Sequence, residues 1–550
     1  MPHFRSHARL LLAASLLPIL VLAGLIQSAA QSLPPEDPTG PEVAPHPGLG
    51  RVEPALLKQV LEASPGQSFR VIVELQNQAD LSAWQAQSAG PEQVVGALQA
   101  EAARSQASLL SFLDAESTAG RVTDVHPFWG LNGVGLTGGA ETLLALATRP
   151  EVALIREDRW RQWVDPILVP RASTDESPAL PWNVSQVGAD RVWNSFEIDG
   201  GGVTVAIMDT GVDWQHPALQ AQYRGYKPGG LTVHEGNWFC TTSEAAAYPV
   251  DGYGHGTHVA GTVLGRAVGG QPAIGVAPGA QWIAVKTLND AGWGYDSWIH
   301  AAFEWLLAPA GNPALAPDVV NGSWGKANGE SDVFRADLQA LRAAGIVPVF
   351  AAGNGGPEPE TMGSPASYPE AIAVGASNDL DQVLDFSSRG PSFWGEVKPE
   401  VVAPGLDILS SLPGGTYATS YGTSMAAPHV SGLAALLLQA DGGLSVDEVE
   451  ALIAGTALPL GPELPNNDSG RGRIDAYQAV ATALQAGSIR GEVRTTAAGS
   501  SPIAGAQISV YDEQNQRRAI VQTDEAGLYS VALPAGVYRL LVEAFAFAPQ

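Results

Sequence analysis

From about residue 181 the chain repeats one pattern. GVTVAIMD, QWIAVKTL, PDVVNGS, GIVPVFAAGN and AIAVGAS are short, nearly unbroken apolar runs that end in, or run directly into, Asp, Gly, Ser or Asn. A strand with one wet face alternates apolar and polar residues. One covered on both faces has no need to, so these runs read as buried parallel strands. Helical stretches such as DSWIHAAFEWLLA and SDVFRADLQALRAA lie between them. The fold class that follows is α/β, with a mainly parallel sheet flanked by helices. Chemistry in such sheets collects at the carboxyl ends of the strands, where this chain places its unusual residues.

The flanks differ. FRVIVELQ (69–76) reads as a strand and PEQVVGALQAEAARSQASLLSFLDA (91–115) as a helix with Pro91 in its first turn. GLNGVGLTGG reads as a strand ending at Gly139, ETLLALATRP as a helix stopped by Pro150, and EVALIRED (151–158) as a strand. Together they predict a small α+β domain over 51–160, ordered from about Val52. The stretch 161–180 is rich in Pro, Ser and charge and reads as an exposed junction. At the other end, 487–550 alternates short strands with turn residues, which predicts a small β-sandwich. AFAFAPQ follows directly on a strand, so this domain reads as cut short.

A chain of 550 residues is too long for one core, and two to four domains is the expectation. A formal charge of −27 argues against nucleic acid and anionic membrane surfaces as partners. The single cysteine, Cys240, excludes an intrachain disulfide and a Cys-rich zinc site. That count alone would suggest the cytosol, but the N-terminus reads otherwise. Arg5 and Arg9 precede an apolar run from Leu10 to Ile26, and Ser28-Ala29-Ala30 supplies small residues. Residues 1–30 therefore read as a secretory signal cut after Ala30. An uncleaved anchor is the competing reading, against which Pro18 and the small-residue exit argue. The proline-rich 31–50 is a linker.

DGYGHGTHVAGTV (251–263) carries His255 and His258. A zinc pair of the H-E-x-x-H kind needs a glutamate between the histidines and a third ligand. Here Gly256 and Thr257 intervene. Three further residues stand at strand ends or helix starts: Asp209 after VTVAIM, Asn354 in a glycine-rich turn, and Ser424 before the apolar helix of SMAAPHVSGLAALLLQA. A serine hydroxyl needs a base within reach, and the base needs an orienting carboxylate. The tetrahedral intermediate needs donors for its oxyanion. Ser424 at a helix start sets its own N–H beside that charge, and Gly422 leaves room for a substrate backbone. Each residue alone is more often a cap or turn. Together they are one of each type required.

DTG at Asp209, HGTHVAG at His255 and GTSMAAPHVSG at Ser424, in that order, resemble the motifs of the subtilisin-like serine proteases. The resemblance covers about 181–486, ending in the helix-like GRGRIDAYQAVATAL. It implies Asp209, His255 and Ser424 as the catalytic triad, Asn354 as oxyanion donor, and His258 as a buried helix residue. It also implies three substrate-binding stretches: Gly292-Trp293-Gly294, Ser323-Trp324-Gly325 and Ala351-Ala352-Gly353. Trp293 and Trp324 stay open between walls of apolar subsites and plain core residues. Asp213 and His429 read as structural, and the sequons at Asn183, Asn321 and Asn467 as chance. The loop LGRAVGGQPAIGVAP lacks the Asn, Asp or Glu with which several subtilisins hold calcium.

The same resemblance extends to the flanks. GLNGVGLTGG and PEVALIRED make 51–160 similar to the family's inhibitory propeptide, a βαββαβ module, and the tail resembles a carboxypeptidase regulatory-like domain. The implied protein is a secreted serine endopeptidase, made as a self-processing zymogen and extracellular or cell-surface associated. Its partners are polypeptide substrates and its own propeptide, with no nucleic acid and no membrane once the signal is cut. It is expected to be a monomer that needs no cofactor for chemistry, with structural calcium not assignable to a site. The competing class is a surface adhesion or scaffold protein whose peptidase unit serves only maturation.

Overall fold

The computed structural model describes residues 48–85, 90–164, 171–172, 180–327, 329, 331–495, 500–513, 515, 517–534 and 536–544. Residues 1–30, read as a signal, nearly all of the first linker, most of the junction and residues 545–550 lie outside them.

The amino-terminal module runs α1 (Pro54–Leu61), β1 (Ser68–Leu75), α2 (Pro91–Thr118), β2 (Val122–Phe128), β3 (Gly133–Gly139), α3 (Ala140–Ala147) and β4 (Val152–Glu157). Its antiparallel sheet has the order β2-β3-β1-β4, from Ser68↔Gly139 to Glu74↔Gly133 between β1 and β3. Pro91 opens α2, and Val94, Leu98, Ala102, Gln106, Leu109 and Leu113 are buried three or four residues apart along it. Val71, Val73, Leu136, Leu143 and Ile155 close the core.

Leu49–Arg51 forms a 3₁₀ turn just ahead of Val52. Two features depart from the sequence reading. Strand β2 has no counterpart in the sequence reading. Asp124, His126 and Pro127 break its alternation, and an edge position tolerates them. The junction is not exposed where it starts. Trp160–Gln162 forms β5, and Trp163 and Val164 are buried.

The second module contains β6 (Thr204–Asp209), β7 (Trp238–Cys240), α4 (His255–Leu264), β8 (Gln281–Lys286), β9 (Trp293–Tyr295), α5 (Asp296–Leu307), β10 (Val319–Gly322), α6 (Arg335–Ala343), β11 (Val347–Ala351), β12 (Ile372–Ser377), β13 (Val401–Pro404), α7 (Thr423–Ala440) and α8 (Ala476–Gln485). Its seven-stranded sheet has the order β13-β12-β11-β10-β6-β8-β7, with every neighbouring pair parallel. Both faces are covered. Val205 and Ile207 of β6 pack with Val259 and Val263 of α4 and Val430 and Leu433 of α7. Ala206 and Met208 pack with Ile299 and Phe303 of α5 and Leu338 and Leu341 of α6. Double burial is why these strands read as continuous apolar runs.

Beyond α8 the chain enters β14 (Ala486–Glu492), β15 (Gln507–Tyr511), β16 (Arg517–Gln522), β17 (Leu528–Pro534) and β18 (Arg539–Glu543). Strands β14 and β17 pair, and β16-β15-β18 form the second sheet, with Ile508, Val510 and Val531 buried.

Candidate active site

The parallel order brings three chain segments to one edge. Strand β6 ends at Asp209, its neighbour β10 at Gly322, and the next strand, β11, at Ala351. Asp209 is thus the last residue of its strand, and the loops that leave β10 and β11 carry Ser323 and Asn354.

Asp209 is fully buried, and its Oδ1 lies 2.7 Å from His255 Nδ1. A carboxylate accepts, so the imidazole donates through Nδ1 and turns Nε2 away from the aspartate. Thr210 N donates to the same oxygen at 2.7 Å. The approach depends on glycine. Gly211 has φ 110°, and a Cβ on it would stand 1.8 Å from the Val250 carbonyl. A Cβ on Gly256 would stand 2.1 Å from the Gly211 carbonyl. A side chain at Gly256 would push the start of α4 off the DTG turn, and one at Gly211 would push the Val250–Asp251 segment off it.

Asp251 holds that contact from below, and sequence reasoning missed it. It accepts from Thr210 Oγ1 (2.9 Å), Gly254 N (2.7 Å), Thr257 N (2.9 Å) and Thr257 Oγ1 (2.7 Å). One buried carboxylate thus ties the Asp209 turn to the first turn of α4. Burial pushes its pKa up, and the Asp209 charge adds to the rise. A carboxylate four residues before a helix-opening histidine was the signal available.

Ser424 is the second residue of α7. Its Oγ donates to the Ser323 carbonyl at 2.9 Å, and Ser323 Oγ donates to the Ser424 carbonyl at 2.9 Å. Asn321 supports the pair, donating from Nδ2 to Ser323 Oγ at 2.8 Å and accepting from Ser431 Oγ at 2.8 Å. Asn354 Oδ1 accepts from Thr423 N and from Thr423 Oγ1, both at 3.0 Å. Its carbonyl side is thereby fixed toward α7, and Nδ2 faces the other way. The geometry thus joins Asp209 to His255, Ser424 to Ser323, and Asn354 to the residue beside Ser424.

The neighbouring residues fall as follows. His258 is buried one helical turn beyond His255, and burial pulls its pKa down to about 3. His429 is buried against Asn183 and the Met425 carbonyl, and burial pulls it down to about 4. Asp213 caps its own turn through Gln215 N and ties it to the distant Gly414 N. Asn183 and Asn321 are fully buried, a position closed to glycosylation in the folded chain. In the loop after α4, Val268 and Gln271 bond to each other through their backbones, and residues 265–278 offer no carboxylate or asparagine side chain. These residues do not fit a calcium ion.

Strand β5 lies antiparallel on β9, with Trp160↔Tyr295, Arg161↔Gly294 and Gln162↔Trp293. Trp163 N then donates to the Gly292 carbonyl at 2.9 Å, and Gly325 N donates to the Trp163 carbonyl at 3.2 Å. One extended strand is therefore held by both edges expected to hold a peptide. Trp324 is buried with Phe303, Phe334 and Phe350, and its Nε1 donates to the Met208 carbonyl at 2.8 Å. It is a core residue whose edge also meets Trp163. Trp293 is half-buried and stacks on Trp160. Ala351 and Ala352 are buried, and Gly353 N donates to Thr423 Oγ1 at 3.2 Å.

Residues 200–479 match the family model described as the subtilase family, and 488–550 match the carboxypeptidase regulatory-like domain. Bacillopeptidase F of Bacillus subtilis (strain 168) is 40% identical over 441 residues, covering 76% of this chain and 30% of that protein. Subtilisin of Bacillus pumilus is 38% identical over 287 residues, covering 52% of this chain and 93% of that protein. Subtilisin E of Bacillus subtilis (strain 168) is 35% identical over 335 residues, with 60% and 77% covered. The chain thus spans less than a third of the length of bacillopeptidase F and most of the length of the shorter subtilisins.

Proposed function

The chain belongs to the subtilase family and is a subtilisin-like serine endopeptidase; on that premise we propose that Ser424 is the nucleophile, His255 its general base and Asp209 the group that orients the base. The observation that carries this is the 2.7 Å contact of His255 with buried Asp209, with the helices that bear His255 and Ser424 packed into one core. With Nδ1–H given to Asp209, neutral His255 presents Nε2 as a proton acceptor. The Ser424 hydroxyl turns from the Ser323 carbonyl to that nitrogen as it attacks. Asn354 Nδ2 and the Ser424 N–H then meet the oxyanion, and the positive end of α7 favours the charge. This chemistry draws on side chains and backbone alone, and no cofactor is required.

Polypeptide substrates bind as an added strand between 292–294 and 323–325. The module 51–160 acts as an inhibitory propeptide, because the strand that continues from its end, β5 with Trp163, occupies those same edges. The protein is made as a zymogen that cuts itself in the junction and acts outside the cell after loss of its signal. Among the described residues no helix is long and apolar enough to cross a membrane.

The test uses the chain from Gln31 onward with a fluorophosphonate probe, beside Ser424→Ala. Labelling at Ser424, with release of a fragment running from Gln31 to about residue 160 in wild type only, is expected. A Ser424→Ala protein whose junction is still cut would refute self-maturation by Ser424. Absence of labelling after the junction has been opened by limited proteolysis would refute the nucleophile.

A further inference from the structure

The main-chain bonds that hold β5 are blind to sequence, since any extended peptide can make them. Selectivity has to come from the side chains. Residues 161 and 163 project from the same face of the strand, and each meets a specific partner. The Trp163 ring meets Trp324 edge-to-face at 5.5 Å and lies 5.7 Å from Phe334. Its Nε1 donates to the Gly294 carbonyl at 3.1 Å. Arg161 Nη2 lies 3.1 Å from Asp296 Oδ2, and its guanidinium sits 5.5 Å from the Trp163 ring.

Asp296 is an unusual place for a carboxylate. It opens α5 and is almost wholly buried. The other titratable groups near it are engaged elsewhere. Asp158 accepts from Ser297 N and Oγ and pairs with Arg70, and His300 is bonded to Asp337. The cation that faces Asp296 is Arg161, and it belongs to the inhibitory strand. The second atoms of the pair, Asp296 Oδ1 and Arg161 Nε, are both buried without a partner. A planar guanidinium fork facing a two-oxygen acceptor is the geometry that would satisfy them, and an ammonium would not.

We propose that Asp296 is a specificity-determining residue that recognises an arginine two positions before a buried aromatic residue, so that the cleft selects Arg-x-Trp segments in its polypeptide substrates. This rests on the endopeptidase reading above and names the substrate class of that same groove. Tryptophan fills the Trp324–Phe334 pocket and gives its indole hydrogen to Gly294, while arginine lies over it and pairs with Asp296. Strand β5 then inhibits because it carries the preferred sequence.

The test is a binding cycle on the protein after the full chain has matured. The probe is a fluorescein-labelled peptide of residues 160–164, Trp-Arg-Gln-Trp-Val, read by anisotropy at low salt. A second peptide carries Gln in place of Arg161 and a third Ala in place of Trp163. Wild-type protein is expected to bind the arginine peptide about tenfold or more tightly than the glutamine peptide. On Asp296→Asn that ratio should fall to about one, and the Trp163→Ala peptide should be weak on both proteins. Equal affinity of the arginine and glutamine peptides for wild type would overturn the proposal, whether or not the variant folds. So would a tenfold preference that persists on Asp296→Asn. Casein hydrolysis is followed on the same preparations. Loss of hydrolysis with the arginine preference intact would condemn the catalytic reading and leave the subsite standing.

Discussion

Glu304 of α5 accepts two backbone N–H groups from the amino-terminal module through one carboxylate oxygen, from Trp129 at 2.7 Å and from Gly130 at 3.0 Å. Burial pushes its pKa from 4.5 up to about 7, the two hydrogen bonds pull the other way without cancelling the rise, and the Asp337 charge adds to it. A carboxyl with a higher pKa in the docked state than in the released one holds its proton more tightly when docked. Docking should therefore be firmest in acid, weaken between pH 4.5 and 7, and level off above that. After cleavage in the junction, more of the module should separate from the catalytic part at pH 8 than at pH 5 on a sizing column. Glu304→Gln keeps a carbonyl for the two N–H groups and should flatten that dependence. A docked fraction that rises with pH would contradict the assignment.

Asp251 gives the second prediction. Asp251→Ala leaves several buried donors on Thr210, Gly254 and Thr257 without their acceptor. Each unpaired donor costs about 1–3 kcal/mol before local rearrangement, so a net loss of about 3 kcal/mol is expected in urea unfolding. The turnover of the protein that remains folded should also fall, because the turn holding Asp209 against His255 is no longer tied down. A variant as stable and as active as wild type would mean that the Asp209–His255 contact does not depend on this carboxylate.

The residues that are legible in the sequence, and those that are not, divide along physical lines. Buried parallel strands declare themselves by apolar continuity, and the five runs read from sequence are β6, β8, β10, β11 and β12. Asp209, His255, Asn354 and Ser424 stand out because chemistry-bearing types sit where strands end and helices begin. Strand β2 is silent because edge strands accept Asp, His and Pro. The start of the junction is hidden for another reason. Arg161 and Gln162 look solvated in isolation, and the partners that bury this stretch, Asp296 and β9, lie more than a hundred residues away. Asp251 is nearly hidden too: its place four residues before a helix-opening histidine is its one sign, and nothing in an aspartate before a glycine turn says that its oxygens face inward.

Asn354 can be tested without disturbing its support. Asn354→Asp keeps the oxygen that accepts from Thr423 N and Oγ1 and removes the Nδ2 donor. Turnover should fall by ~10²–10³ with KM nearly unchanged, a magnitude taken over from loss of the corresponding asparagine in subtilisin itself, a member of this same family. Thermal stability should change little. If turnover survives while the fold is intact, Nδ2 does not meet the oxyanion and the backbone N–H of Ser424 has to carry it.

Trp324 links the core to the groove, and its two contacts can be separated. Its indole donates to the carbonyl of Met208, the residue before Asp209, while its ring packs on Phe303, Phe334 and Phe350 and against Trp163. Trp324→Phe keeps much of the ring packing and leaves the Met208 carbonyl unpaired, at a cost of about 1–3 kcal/mol. Trp324→Ala opens a cavity as well and should cost about 3–5 kcal/mol. Because the same ring forms a wall of the Trp163 pocket, both variants should also bind the residue 160–164 peptide more weakly, the alanine variant more so. Urea unfolding and peptide anisotropy on the same samples separate the two effects. Full stability with weakened peptide binding would make Trp324 a subsite wall alone, and lost stability with unchanged binding would make it core alone.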